Sequence, residues 1–70
     1  MATHKKKSTK PWVIALVEES NHFIKADRFF DNREDAERDW EENRSYHESH
    51  YHQIMTSEEF YKIKDSFKNK

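Results

Sequence analysis

Three histidines and two tyrosines fall within residues 46–52 of the stretch SYHESHYHQIM, residues 45–55. Imidazole is a versatile metal ligand and proton carrier. His47 and His50 are three apart, a spacing that shares a face on a helix; His50 and His52 are two apart, a spacing that shares a face on a strand. Both hold only if a helix ends at about His50. A zinc site would also need a fourth ligand, such as Glu48 or His22, and the chain has no cysteine. No H-E-x-x-H spacing is present. The competing reading makes His47 the end of a helix stripe beneath Trp40, lets a C-terminal histidine complement the helix dipole, and leaves His52 on an exposed strand. The expectation is no metal and no cofactor, with His47, His50 and His52 as the candidates should a metal be held. Three imidazoles titrating near neutrality would also make a pH-dependent surface.

Other chemistry finds less support. Serines accompany the histidines, but no nucleophile-elbow pattern surrounds them, and 70 residues leave little pocket volume. Zero glycines exclude the usual phosphate-cradling loops and pass positive-φ turn positions to Asn and Asp, Asn21 first among them. Carboxylates are abundant, yet they lie on what reads as an exposed helix, where nothing drives their pKa values apart. A non-enzymatic protein is expected.

The charges are partitioned. Net charge is only -1, but residues 1–10 carry four lysines and no acid, whereas residues 18–48 carry eleven acids against five basic residues. Lys5, Lys6, Lys7 and Lys10 form a basic N-terminal arm that could contact phosphate or serve as a solubilising tail. Glu34, Glu37, Glu41 and Glu48 lie on or near one helical face, with Asp35, Asp39 and Glu42 in a second row. Such a face could dock on a basic protein surface or imitate nucleic-acid phosphates. It could equally be a solvated face laced by pairs such as Glu34–Arg38 and Asp35–Arg38.

The elements that must position these groups read as one α+β domain over residues 11–70, following a flexible arm over 1–10. "PWVIALVEES" is apolar on both parities, which fits a central strand covered on both faces. "EESNHF" reads as a hairpin turn and "HFIKADRFF" as a second strand, neither of whose faces is clean, so its register stays open. Residues 31–47 read as a helix, with Asp31 as N-cap, Glu34 completing a capping box and Trp40 the one large anchor. "YHQIM" reads as a third strand. "TSEEFYKIKDSF" reads as a second helix, with Thr56 and Glu59 as capping box and Phe60, Ile63 and Phe67 at helical spacing. The order β-β-α-β-α predicts a three-stranded antiparallel sheet. With 33% apolar residues but ten aromatics, the fold should be core-poor. The longest apolar run, Trp12–Val17, is too short to span a membrane, and a cytoplasmic protein is expected.

Residues 11–40, "PWVIALVEESNHFIKADRFFDNREDAERDW", resemble the short phage-encoded inhibitors of bacterial RNA polymerase: a strand opening on an aromatic, a turn, a second strand, then an acidic helix bearing alanine and an aromatic. The likeness covers under half the chain, which departs from it in a second capped helix and the histidine-rich link. It implies a compact α+β protein acting in the host cytoplasm that binds the host polymerase and blocks transcription. Arg33, Glu34, Glu37, Glu41 and Arg44 are the expected partner contacts. The alternatives are a nucleic-acid-binding accessory protein led by the basic arm, and a homodimeric module in which an exposed strand pairs with its twin.

Overall fold

The computed structural model describes residues 10–68. Lys5, Lys6 and Lys7 lie outside the described residues, whereas Lys10 is exposed and its carbonyl accepts from the Ser57 hydroxyl. The elements are β1 (Trp12–Glu18), a 3-10 turn (Glu19–Asn21), β2 (Phe23–Phe30), α1 (Arg33–Glu42), α2 (Arg44–Ser49), β3 (His52–Thr56) and α3 (Ser57–Lys68). The strands form one antiparallel sheet in the order β2-β1-β3. The protein is a small α+β domain.

β1 is central and is covered on both faces, which is why both of its parities are apolar. Val13, Ile14 and Ala15 are fully buried. Val13 and Ala15 join Met55 and Phe60 beneath α3, with Ile24, Ala26, Phe29 and Ile63 at the margin. On the opposite face Ile14 joins Phe30 and Ala36 beneath α1, with Trp12, Trp40 and Ile54 beside them. Two thin cores on one strand are the three-layer answer to a low apolar content.

The untidy faces of β2 have a local cause. Ile14 pairs with Arg28 but Ala15 pairs with Ala26, so Asp27 is an extra residue on β2, a β-bulge. Ile24 and Ala26 pack toward α3, and past the bulge the parity switches, so Phe29 packs there too while Phe30 turns to the α1 side. Strict alternation fails because one residue is inserted, not because the strand lacks a core face.

Four local expectations shift. The left-handed residue at the hairpin is His22, φ 51°, not Asn21, which ends the 3-10 turn and donates its amide to the Glu18 carboxylate at 3.0 Å. The α1 N-cap is Asn32, whose side chain accepts from the Asp35 N–H at 2.9 Å; Asp31 lies one residue outside. The expected single helix breaks at Asn43, φ -117° and ψ 39°, where its side-chain amide at 3.2 Å and its backbone N–H at 3.0 Å both donate to the Asp39 carbonyl. β3 begins at His52, because Tyr51 adopts φ 57° to turn the chain out of α2. The second helix keeps its expected cap, with the Glu59 N–H donating to Thr56 Oγ1 at 3.1 Å.

Candidate functional site

The break at Asn43 and the left-handed turn at Tyr51 together aim the end of α2 back at the sheet. The outcome is a polar seam between α2, β3 and the bulge of β2. His47 is its buried centre, 1% exposed. Its ring stacks on Trp40, with centroids 5.9 Å apart, as the helix stripe implies. Its Nδ1 lies 2.7 Å from His52 Nδ1, and its Nε2 lies 3.0 Å from Asp39 Oδ1.

Those two contacts constrain where the protons sit. Asp39 Oδ2 accepts from Arg28 at 3.0 Å, and Oδ1 also faces the Asn43 amide at 3.3 Å. Burial by itself would raise the Asp39 pKa; the hydrogen bonds from His47 and Asn43 and the Arg28 charge overcome it, and the net direction is down. An ionised Asp39 can only accept, so His47 Nε2 carries a proton. At the other side of the ring one proton lies between the two Nδ1 atoms, donated by one imidazole and accepted by the other. Burial lowers the His52 pKa; Asp27 opposes that, and His47 and His50 add to it.

Around this pair the other groups are held in place. The Trp40 indole N–H donates to the His52 carbonyl at 3.2 Å, so Trp40 fixes one histidine by stacking and the other by a hydrogen bond. The Tyr46 hydroxyl donates to Asp27 Oδ1 at 3.0 Å, and this contact raises the Tyr46 pKa. The Tyr46 ring touches all three imidazoles, with centroids 4.6 to 5.4 Å away. His50 stacks on His52 at 5.4 Å, but its Nδ1 is occupied by the Tyr46 carbonyl at 2.9 Å. Asp27, His47 and His52 each offer a ligating atom within 4.8 Å of the others. Two open clefts flank the cluster, of about 250 and 200 Å³, sharing Asp27 and Tyr46 in their walls.

No protein-family model, curated protein or solved structure matches this chain.

The three histidines singled out from the sequence do meet across the seam, but their roles differ. His47 and His52 face each other, and Asp27 takes the place expected of His50. Asp27, an exposed residue, escaped the sequence reading because it is 19 residues from Tyr46 and its place at the bulge depends on how β2 pairs with β1. The untidy parity of β2 was the one signal that could have found it.

The expected partner contacts lie elsewhere, on the exposed surface of α1 and α2. Arg33 pairs with Glu37 at 2.9 Å and lies 5.6 Å above the Trp12 ring. Arg44 pairs with Glu48 at 2.9 Å and Glu41 at 3.8 Å, contacts that raise its pKa. Arg38 pairs with Asp35 at 3.2 Å rather than with Glu34. Among the described residues Glu34 and Glu42 make no ion pair. Lys10, the one arm lysine described, sits beside the start of β1. Among the described residues no helix is long and apolar enough to cross a membrane.

Proposed function

We propose that this protein is a non-enzymatic binding protein that docks through its α1–α2 layer on a basic surface of a macromolecular machine and occludes it. Bacterial RNA polymerase is the target that the sequence resemblance implies, which would make the chain a phage factor acting in host cytoplasm. One observation carries the reading: the charge is segregated by layer. Residues 33–48 hold seven acids against three arginines, while α3, across the sheet, holds three of each. A one-sided negative field steers association with a positive surface and sets orientation. Exposed ion pairs such as those within the layer contribute little to stability, so the surplus of acids is weakly explained by folding alone. Glu34 and Glu42, which make no ion pair among the described residues, are the free charges, and Arg33, Glu37, Glu41 and Arg44 frame them.

The test is binding to purified bacterial RNA polymerase over a salt series, with run-off transcription as the functional readout. Saturable, salt-weakened binding that inhibits transcription, and that the triple reversal E34K/E41K/E42K abolishes while the circular dichroism spectrum is kept, is expected. No binding at low salt, or binding indifferent to the reversal, rules the reading out.

A further inference from the structure

The seam has features that acidic docking does not use: a fully buried imidazole, a second imidazole in contact with it, and a carboxylate delivered by a bulge. We infer that Asp27, His47 and His52 form a binding site for one divalent zinc ion. The site shares α2 with the proposed docking layer but uses none of its exposed partner-contact residues, and its test reads zinc binding alone, independently of polymerase binding.

The donor set fits the ion. Zinc takes imidazole nitrogen at about 2.0–2.1 Å and carboxylate oxygen at about 2.0–2.2 Å in tetrahedral array. Two imidazoles and a carboxylate leave a fourth position for water, and the clefts on either side of the cluster provide room for it. Tetrahedral ligands stand roughly 3.3 Å apart at those bond lengths, so the two Nδ1 atoms, now 2.7 Å apart, need to part by about half an ångström. The ion takes the place of the proton they share. His52 then carries its proton on Nε2, and both Nδ1 lone pairs point at the metal.

The outer contacts are those that metal-binding groups use. A ligating histidine commonly donates its other ring N–H to a carboxylate, which fixes the ring and raises its basicity. His47 does so to Asp39, and Arg28 holds the far oxygen of Asp39, keeping that carboxylate in a supporting position. Asp27 is oriented by Tyr46 through Oδ1, leaving Oδ2 for the ion. His52 is fixed through its backbone by Trp40. Tyr51, 76% exposed, takes the left-handed conformation that commonly ends a helix, its N–H donating to the Glu48 carbonyl at 3.1 Å, and the chain passes there from α2, which carries His47, to β3, which carries His52. His50, its Nδ1 already engaged, stays outside the set.

The experiment is a zinc titration of the full chain carrying His4→Ala, which removes the histidine outside the described residues. A chromophoric chelator serves as competitor, and Co2+ is the spectroscopic probe. One equivalent should bind, with a Kd on the order of micromolar, weaker than four-ligand structural sites, and with the visible bands of four-coordinate Co2+. His52→Ala and Asp27→Asn, both at positions outside the two cores, should each weaken binding at least about tenfold, and Asp39→Asn, a positioning change, about tenfold to a hundredfold. In the protein with His47 and His52 intact, zinc should shift their imidazole resonances before those of His22. Failure to bind one equivalent, binding unchanged in His52→Ala and Asp27→Asn, or equal shifts at all histidines would overturn the proposal.

Discussion

Replacing Trp40 with phenylalanine separates its two tasks. The smaller ring keeps most of the stacking on His47 but loses the indole N–H that reaches the His52 carbonyl at 3.2 Å. Losing that part-buried hydrogen bond costs about 1–1.5 kcal/mol, and the space vacated by the second ring costs roughly 1 kcal/mol more. For a domain of this size, about 2–3 kcal/mol corresponds to a fall in Tm of roughly 10–20 °C. Trp12 supplies the control. It is also half-buried, but its indole N–H makes no hydrogen bond among the described residues, so Trp12→Phe should cost only the packing part, about 1 kcal/mol. Urea and thermal unfolding followed by circular dichroism measure both variants. If the two substitutions cost the same within about 0.3 kcal/mol, Trp40 does not anchor the seam through His52, and the assembly described here is wrong.

Two further outcomes follow from the same geometry. In chelator-treated protein, the depressed Asp39 pKa means the folded state holds the ionised form more tightly than the unfolded chain does. Its stabilisation is therefore complete above about pH 4 and is lost as pH falls through the lower folded value; urea unfolding between pH 5 and 2.5 should show a smaller acid loss in Asp39→Asn than in the parent, and equal losses would refute the linkage. Deleting Asp27 should restore a regular β2 without moving the pairs on either side, so amide-exchange protection at Ala15 and Ala26 should persist while Tyr46 loses its acceptor; collapse of protection there would show that the bulge sets the register.

The sequence made some of this structure legible for definite reasons. β1 announced itself through two apolar parities, because a strand covered on both faces has no polar side to show. Thr56 announced α3, because capping is a local contact four residues long. His47 could be placed inward, since helical spacing from Trp40 carries that information. Asp27, exposed at the seam, could not be placed there, because a bulge is a choice of pairing between two strands and leaves only blurred alternation in the strand that bears it. The helix break at Asn43 was hidden for a similar reason: asparagine is tolerated inside helices, and only its backbone angles and its side-chain contacts with Asp39 mark the break here. His22 and Tyr51 took left-handed positions because a chain without glycine must still end its 3-10 turn and α2, and these residues follow those stops, their N–H groups donating to the Glu19 and Glu48 carbonyls.

The seam rests on the contact between His47 Nδ1 and His52 Nδ1, and nitrogen-15 NMR of the metal-free protein near pH 7 tests it most directly. The structure predicts that His47 is protonated at Nε2, that one of the two Nδ1 atoms carries a proton, and that a scalar coupling crosses the hydrogen bond between them. Two imidazoles with the ordinary Nε2–H tautomer and no coupling between them would contradict it.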